Sequence, residues 1–144
     1  MDYEIREMNM GDYENAIFLW KHTEGIELSG ADGRDHISHF LEKNSGLCFC
    51  AYNGKSLIGT ILCGEDGRRG YIYHLAVEKD FRKLGAGKEL VKISLLALRK
   101  LGIQKCHLFV VADNYLGKHF WQHIGWELRD DIEVMSIEIN HNSV

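Results

Sequence analysis

Residues 82–87 read Arg-Lys-Leu-Gly-Ala-Gly and stand between an apolar, strand-like run at 71–77 and a helix-like run at 88–101. Two glycines one residue apart let the main chain turn tightly with few side chains in the way. Successive N–H groups can then face one anion just where a helix begins and its N-terminus is positive. Arg82, Lys83 and Lys88 add charge. Between 79 and 88 four cations (Lys79, Arg82, Lys83, Lys88) stand against one anion, Asp80, a local excess of +3 in a chain of formal net charge −4. For an anion arriving at this point the local sign outweighs the global one. The stretch is suited to cradling a pyrophosphate; the alternative is a plain glycine turn that starts a helix.

The familiar nucleotide loops do not fit. A G-x-x-x-x-G-K-[ST] loop fails because Gly87-Lys88 is followed by Glu89 and Arg82 stands where the first glycine belongs. A dinucleotide fingerprint read from Gly85 meets Leu90 where Gly or Ala is needed, and Gln104 and Lys105 where an acid is expected. What remains, [QR]-x-x-G-x-[GA] after a strand ending Leu75-Ala76-Val77, resembles the acetyl-CoA-binding signature of the GCN5-related N-acetyltransferase (GNAT) superfamily. The resemblance runs almost position by position from His74 to Leu90. It resumes at Asn114 and Phe120-Trp121-Gln122-His123-Ile124-Gly125-Trp126, which is similar to the family's second motif. The segment from Gly64 to Val77 further resembles a small bacterial subgroup.

The elements that must position these residues can be read from periodicity. A short alternating strand at 3–8 precedes helices near 12–23 and 32–43. Residues 47–52 and 56–63 flank Asn53-Gly54, a pair suited to the positive φ angles of a type I′ hairpin turn. The strand at 71–77 leads into the glycine loop and a helix ended by Gly102, then a strand at 105–111, a helix at 115–124, and a closing hairpin from 125–129 and 132–139. No repeat, linker or low-complexity stretch divides the chain, so residues 1–144 are expected to form a single transferase domain.

The resemblance implies a mixed α+β architecture, the GNAT fold. Its central, mostly antiparallel sheet has helices on both faces, and its parallel strand pair splays to admit pantetheine. It implies acetyl-CoA as cosubstrate and no metal. Main-chain groups of Leu75, Ala76 and Val77 would bond the pantetheine amides, while Arg82, Lys83, Leu84, Gly85, Ala86, Gly87 and Lys88 take the pyrophosphate. Asn114 and Trp121 would hold the pantetheine arm.

The implied reaction is acetyl transfer to an amine, which needs a deprotonated nucleophile, a donor for the oxyanion and a proton for the departing thiolate. In much of the family a second-motif tyrosine supplies that proton; here the slot holds Trp121, whose indole N–H donates a hydrogen bond but does not titrate. Alternation on the strand before the loop puts Tyr71, Tyr73 and Leu75 on one face. Tyr73 is the first catalytic candidate, as acid or hydrogen-bond donor, and Tyr71, near a position where family members carry a base, is the second. Aromatic packing beneath the first helices is the competing account of both. His74 is expected to face away from Tyr73 and to be packed. His36 with His39, and His119 with His123, have helical spacings without an acidic or cysteine partner, so solvated histidines are expected and no metal site.

Composition bounds the rest. With 45% hydrophobic and 26% charged residues, the chain reads as an ordinary folded domain. There is no signal-like N-terminus or membrane-length apolar run, so the expectation is cytoplasmic. Cys48, Cys50, Cys63 and Cys106 lie in apolar runs as buried free thiols. Net negative charge without a basic stripe excludes nucleic acid as a partner, and none is expected at a membrane. The acceptor is a small-molecule amine or a protein amino group, and a homodimer is compatible with the sequence. Residues 21–35 carry Glu24, Glu27, Asp32 and Asp35 against Lys21 and Arg34, an acidic balance that attracts a cationic amine. A CoA-binding sensor or partner-binding module with little turnover is the alternative function, kept open by Trp121.

Overall fold

Near-continuous apolar runs on either side of Gly54 build the hairpin around which the sheet grows, the pattern of strands covered on both faces. The computed structural model describes residues 2–144. In it β1 (Glu4–Glu7), β2 (Phe49–Asn53), β3 (Ser56–Glu65), β4 (Gly70–Val77) and β5 (Cys106–Leu108) lie side by side in that order. The first four pair antiparallel, and β4 pairs with β5 in parallel. A mixed, mostly antiparallel sheet with one parallel pair is the class implied by the sequence. Helices α1 (Tyr13–Lys21) and α2 (Arg34–Lys43) come between β1 and β2. Helix α3 (Ala86–Lys100) joins β4 to β5, and α4 (Tyr115–His123) follows.

Two adjacent residues of β3 show how the layers form. A Cβ on Gly59 would meet Leu90 of α3 at 3.0 Å, whereas Thr60 accepts a 2.8 Å hydrogen bond from the Trp20 indole of α1. Neighbouring strand residues point to opposite faces, so α3 covers one face and α1 the other. Trp20, Leu19, Ile37, Cys48, Cys50, Leu62 and Ala76 form the core between the sheet and the α1/α2 layer. Burial pushes the Cys48 and Cys106 thiols up to about 11 and raises those of Cys50 and Cys63 as well. All four cysteines are free and remain protonated, unreactive packing groups at neutral pH.

The chain divides into two compact units, one ending at Val111 and the other Ala112–Val144. Three sequence expectations change. The hairpin turn is carried by Gly54 and Lys55, with Asn53 paired to Ser56 as the last residue of β2. Only Gly54 in that turn has positive φ (57°), so one glycine does what an Asn-Gly pair was expected to do. Strand β5 stops at Leu108 instead of continuing to residue 111, because its ladder with β4 ends at the Ile72–Leu108 pair. The closing hairpin is absent: among the described residues no strand follows β5. The pairs Ile132/Val134 and Ile137/Ile139 each alternate with a polar residue but are 56%, 65%, 76% and 87% exposed. Alternation makes a strand only where a partner strand accepts the ladder.

Candidate active site

Strand β4 is shared between two neighbours for only part of its length. Its parallel ladder with β5 consists of Gly70–Cys106, Tyr71–His107 and Ile72–Leu108, while β4 itself continues to Val77. On the β5 side, the main chain of residues 73–77 is therefore left without a strand partner among the described residues, including Leu75, Ala76 and Val77. This open edge has the hydrogen-bonding pattern of a strand that can accept another extended chain.

Beyond β4 the chain winds through a short 3₁₀ turn, Lys79–Leu84, and reaches Gly85 at φ 83° before α3 begins at Ala86. A Cβ at Gly85 would meet nothing within 4 Å, so glycine is needed there for its left-handed conformation and not for space. No side chain caps α3. Its first regular bond is Glu89 N–H to the Gly85 carbonyl at 3.0 Å, so the amides of Ala86, Gly87 and Lys88 come before the ladder. Unbonded N–H groups and the positive helix end make an anion site. Lys83 and Lys88 are exposed there, as is Leu84. Arg82 is more committed than its sequence position suggests. Its Nε donates to the Val77 carbonyl at 2.8 Å and its guanidinium lies 3.3 Å from Glu24. A groove of about 590 Å³ beside it is lined by Leu19, Thr23, Lys55, Val77 and Arg82 among others.

A bulge governs the side chains of β4. Tyr73 stands opposite Leu62 and Ala76 opposite Thr60, so His74 and Leu75 together oppose the single residue Ile61. This corrects the expected alternation. Tyr71 and Tyr73 do share a face, opposite Gly64 and Leu62, but Leu75 drops out of register. His74, expected to face away, turns into the same α1/α2 layer as Tyr73. Its ring centroid is 4.7 Å from that of Trp20, and its Nε2 is 2.6 Å from Asp32 Oδ1. Tyr73 packs edge-on against Phe40, 6.0 Å between centroids, and is 38% exposed. Burial, with Tyr71 and Cys106 nearby, raises its phenol above the ordinary 10, which suits a proton donor and not a base. Tyr71 contacts His107, 5.8 Å between centroids.

The acidic segment between α1 and α2 is partly neutralised. Glu24 pairs with Lys79 (3.4 Å) and Arg82 (3.3 Å), and Asp32 with His74. Glu27 and Asp35 remain as exposed carboxylates. The Asp32–His74 contact, across 42 positions, was missed by sequence reasoning. One half of it was visible, since Ser29-x-x-Asp32 is a capping-box pattern.

In the second unit, Asn114 caps α4, its side-chain oxygen accepting from Gly117 N–H at 3.0 Å. Trp121 meets Phe120 and Trp126 edge-on, with centroids at 5.2 and 4.9 Å.

A family profile described as "Acetyltransferase (GNAT) family" matches residues 3–126. Acetyltransferase YE1169 of Yersinia enterocolitica is 29% identical over 129 residues, covering 90% of this chain and 91% of its own. Acetyltransferase ECA0875 of Pectobacterium atrosepticum is 32% identical over 111 residues, 77% and 78% of the two chains. Among solved structures, the PaiA N-acetyltransferase of Thermoplasma acidophilum, in complex with coenzyme A, superposes with a TM-score of 0.78 at 22% identity, covering 90% of this chain and 92% of that one.

Proposed function

The chain belongs to the acetyltransferase (GNAT) family and is an acetyltransferase; from that premise we propose that it transfers an acetyl group directly from acetyl-CoA to a primary amine. The observation that carries this reading is the early end of the β4–β5 ladder beside the uncapped start of α3. An extended pantetheine arm fits the open edge, and a pyrophosphate fits the amides that follow Gly85. Acetyl-CoA supplies the thioester carbonyl that the amine attacks and the sulfur that leaves.

The chain's own groups take the remaining parts. Main-chain groups of Leu75, Ala76 and Val77 would hold the arm, and an N–H of that stretch would donate to the developing oxyanion. The amides of Gly85, Ala86, Gly87 and Lys88, with the charges of Lys83, Lys88 and Arg82, would hold the pyrophosphate, and Leu84 would flank it. Arg82 would have to give up Glu24 to do so, which makes it a weaker contributor than the amides. Tyr73, kept protonated by its surroundings, would donate to the departing sulfur; Tyr71 would play at most a supporting part. Asn114 and Trp121 are assigned to the pantetheine arm by their place in the second motif. The profile match across residues 3–126 supports treating residues 1–144 as one transferase domain. Exposed Glu27 and Asp35 favour a cationic acceptor, a small-molecule amine or a protein amino group.

Acetyl-CoA at millimolar concentration should raise the melting temperature, because a ligand bound by the native state alone stabilises it by mass action. Calorimetry should give a saturable site that Gly85→Val removes, since a β-branched residue resists positive φ. Release of free CoA thiol across a panel of amines then tests transfer. No shift and no binding heat would sink the reading. Binding without turnover of any amine would favour a CoA-binding module instead.

A further inference from the structure

His74 is the one non-glycine residue with positive φ (45°) among the described residues. Non-glycine residues occupy that region at a cost in strain, and such strain persists only where the surroundings enforce it. Here they do. Fully buried Thr60 donates to the His74 carbonyl at 2.9 Å while accepting from the Trp20 indole at 2.8 Å. Asp32, itself 8% exposed, takes the imidazole through Nε2 at 2.6 Å. Its other oxygen accepts from Ser29 N–H at 3.0 Å, and its carbonyl accepts from the Tyr13 hydroxyl at 2.6 Å.

This anchoring selects the state of the ring. A carboxylate that accepts from Nε2–H leaves the lone pair of the neutral imidazole on Nδ1. Nδ1 has no hydrogen-bond partner in the protein, yet no buried side-chain nitrogen or oxygen among the described residues lacks one. It follows that Nδ1 is not fully enclosed and keeps some accessible surface, although the side chain as a whole is only 18% exposed. The bulge brings this ring into the same layer as Tyr73, on the strand whose open edge would take the acetyl donor.

We propose that His74 is the catalytic base, accepting through Nδ1 a proton from the acceptor amine, and that Asp32 is the positioning residue that holds its Nε2–H. The proposal rests on the acetyl-transfer reading above. The ammonium gives one proton to Nδ1. The freed lone pair then forms the new C–N bond while the C–S bond breaks and its electron pair leaves on sulfur. Of the two protons the nitrogen loses overall, one ends on the thiol and the other passes from the imidazolium to solvent. Asp32 is the charged group in contact with the ring; Trp20, packed on the ring, and Thr60, bonded to the His74 carbonyl, do not titrate.

The test combines spectroscopy and kinetics on the full chain. Nitrogen-15 NMR of the imidazole should show the Nε2–H tautomer for His74 in wild type and mixed tautomers in Asp32→Asn, and coenzyme A should shift the His74 signals. With whichever of spermidine, kanamycin, tyramine, lysine or an N-terminal serine peptide is acetylated, His74→Gly should lower kcat about 100-fold or more. KM for acetyl-CoA should stay within about twofold, with at least about tenfold recovery in added imidazole. Glycine accepts the left-handed backbone and leaves room for free imidazole. His74→Asn also tolerates positive φ, offers an amide to Asp32 and should be as slow. Asp32→Asn should lose about 10- to 100-fold in kcat. Failure of wild type to bind coenzyme A would refute the donor reading. Normal binding with both His74 variants at wild-type kcat, or an Nδ1–H tautomer in wild type, would refute the role of His74.

Discussion

The chain builds the same local device twice and completes it with different partners. Asn9-x-x-Asp12 and Ser29-x-x-Asp32 are both capping boxes on short 3₁₀ turns, with Asn9 N–H to Asp12 at 2.9 Å and Ser29 N–H to Asp32 at 3.0 Å. Both acids are buried and both residues accept from a tyrosine hydroxyl at 2.6 Å, Tyr52 to the Asp12 carboxylate and Tyr13 to the Asp32 carbonyl. Asp12 is closed by Arg6, whose two terminal nitrogens lie 2.7 and 3.1 Å from its two oxygens. Asp32 is closed by an imidazole. Burial alone would raise the Asp12 carboxyl, but hydrogen bonds from Arg6, Asn9 N–H and Tyr52 together with the Arg6 charge outweigh it and hold the carboxyl below its ordinary 3.8. A guanidinium stays charged at every accessible pH, so this box is a fixed brace. An imidazole offers a second nitrogen besides the one that Asp32 holds, so the second box orients the ring to which the base role is proposed.

The division between brace and reactive layer can be tested at four points. The largest expected effect is on the reactive side, where Tyr73→Phe should lower kcat roughly 10- to 1,000-fold with acetyl-CoA affinity little changed, in steady-state kinetics with a working acceptor. A Tyr73→Phe enzyme at wild-type speed would remove the phenol from the chemistry. Asp12→Asn should act on stability instead, costing about 1–3 kcal/mol in denaturant titration with kcat of the remaining folded protein within about twofold. A fall in kcat as deep as that of the reactive-side variants would erase the distinction drawn here.

A smaller, pH-dependent effect should follow from the same carboxyl. Because its folded-state value is depressed, Asp12 contributes stability above its unfolded value, and this is lost as pH falls through the folded one. Wild type and Asp12→Asn should therefore differ most at neutral pH and converge in acid, once the folded-state carboxyl is protonated; a constant gap in melting temperature would contradict the ionised brace. The smallest change is expected for Trp121→Phe. If Tyr73 serves the leaving sulfur, the indole is a channel wall, and kcat should fall by less than about threefold. Loss of all turnover in Trp121→Phe would make the indole N–H the important hydrogen-bond donor instead.

Most of the cradle was legible because its determinants are local. A strand pattern, two glycines and a helix pattern follow one another within about twenty residues, and Gly85 takes positive φ as its place predicts. The β2–β3 hairpin was legible for the same reason, apart from a shift of one residue in its turn. The last hairpin was not, since residues 132–139 are rich in β-branched residues like a strand but have no ladder to receive them.

What the amino-acid order determined by itself was most of the elements and the left-handed turn at Gly85 that starts α3, because periodicity and glycine conformation act over a few residues. Tertiary structure decided where β5 leaves β4, and that His74 and Leu75 oppose Ile61. It also turned His74 toward Asp32, 42 residues earlier. A bulge depends on how the opposite strand pairs, and a buried carboxylate selects its partner by what packing brings within reach. Neither is encoded in the spacing of nearby residues.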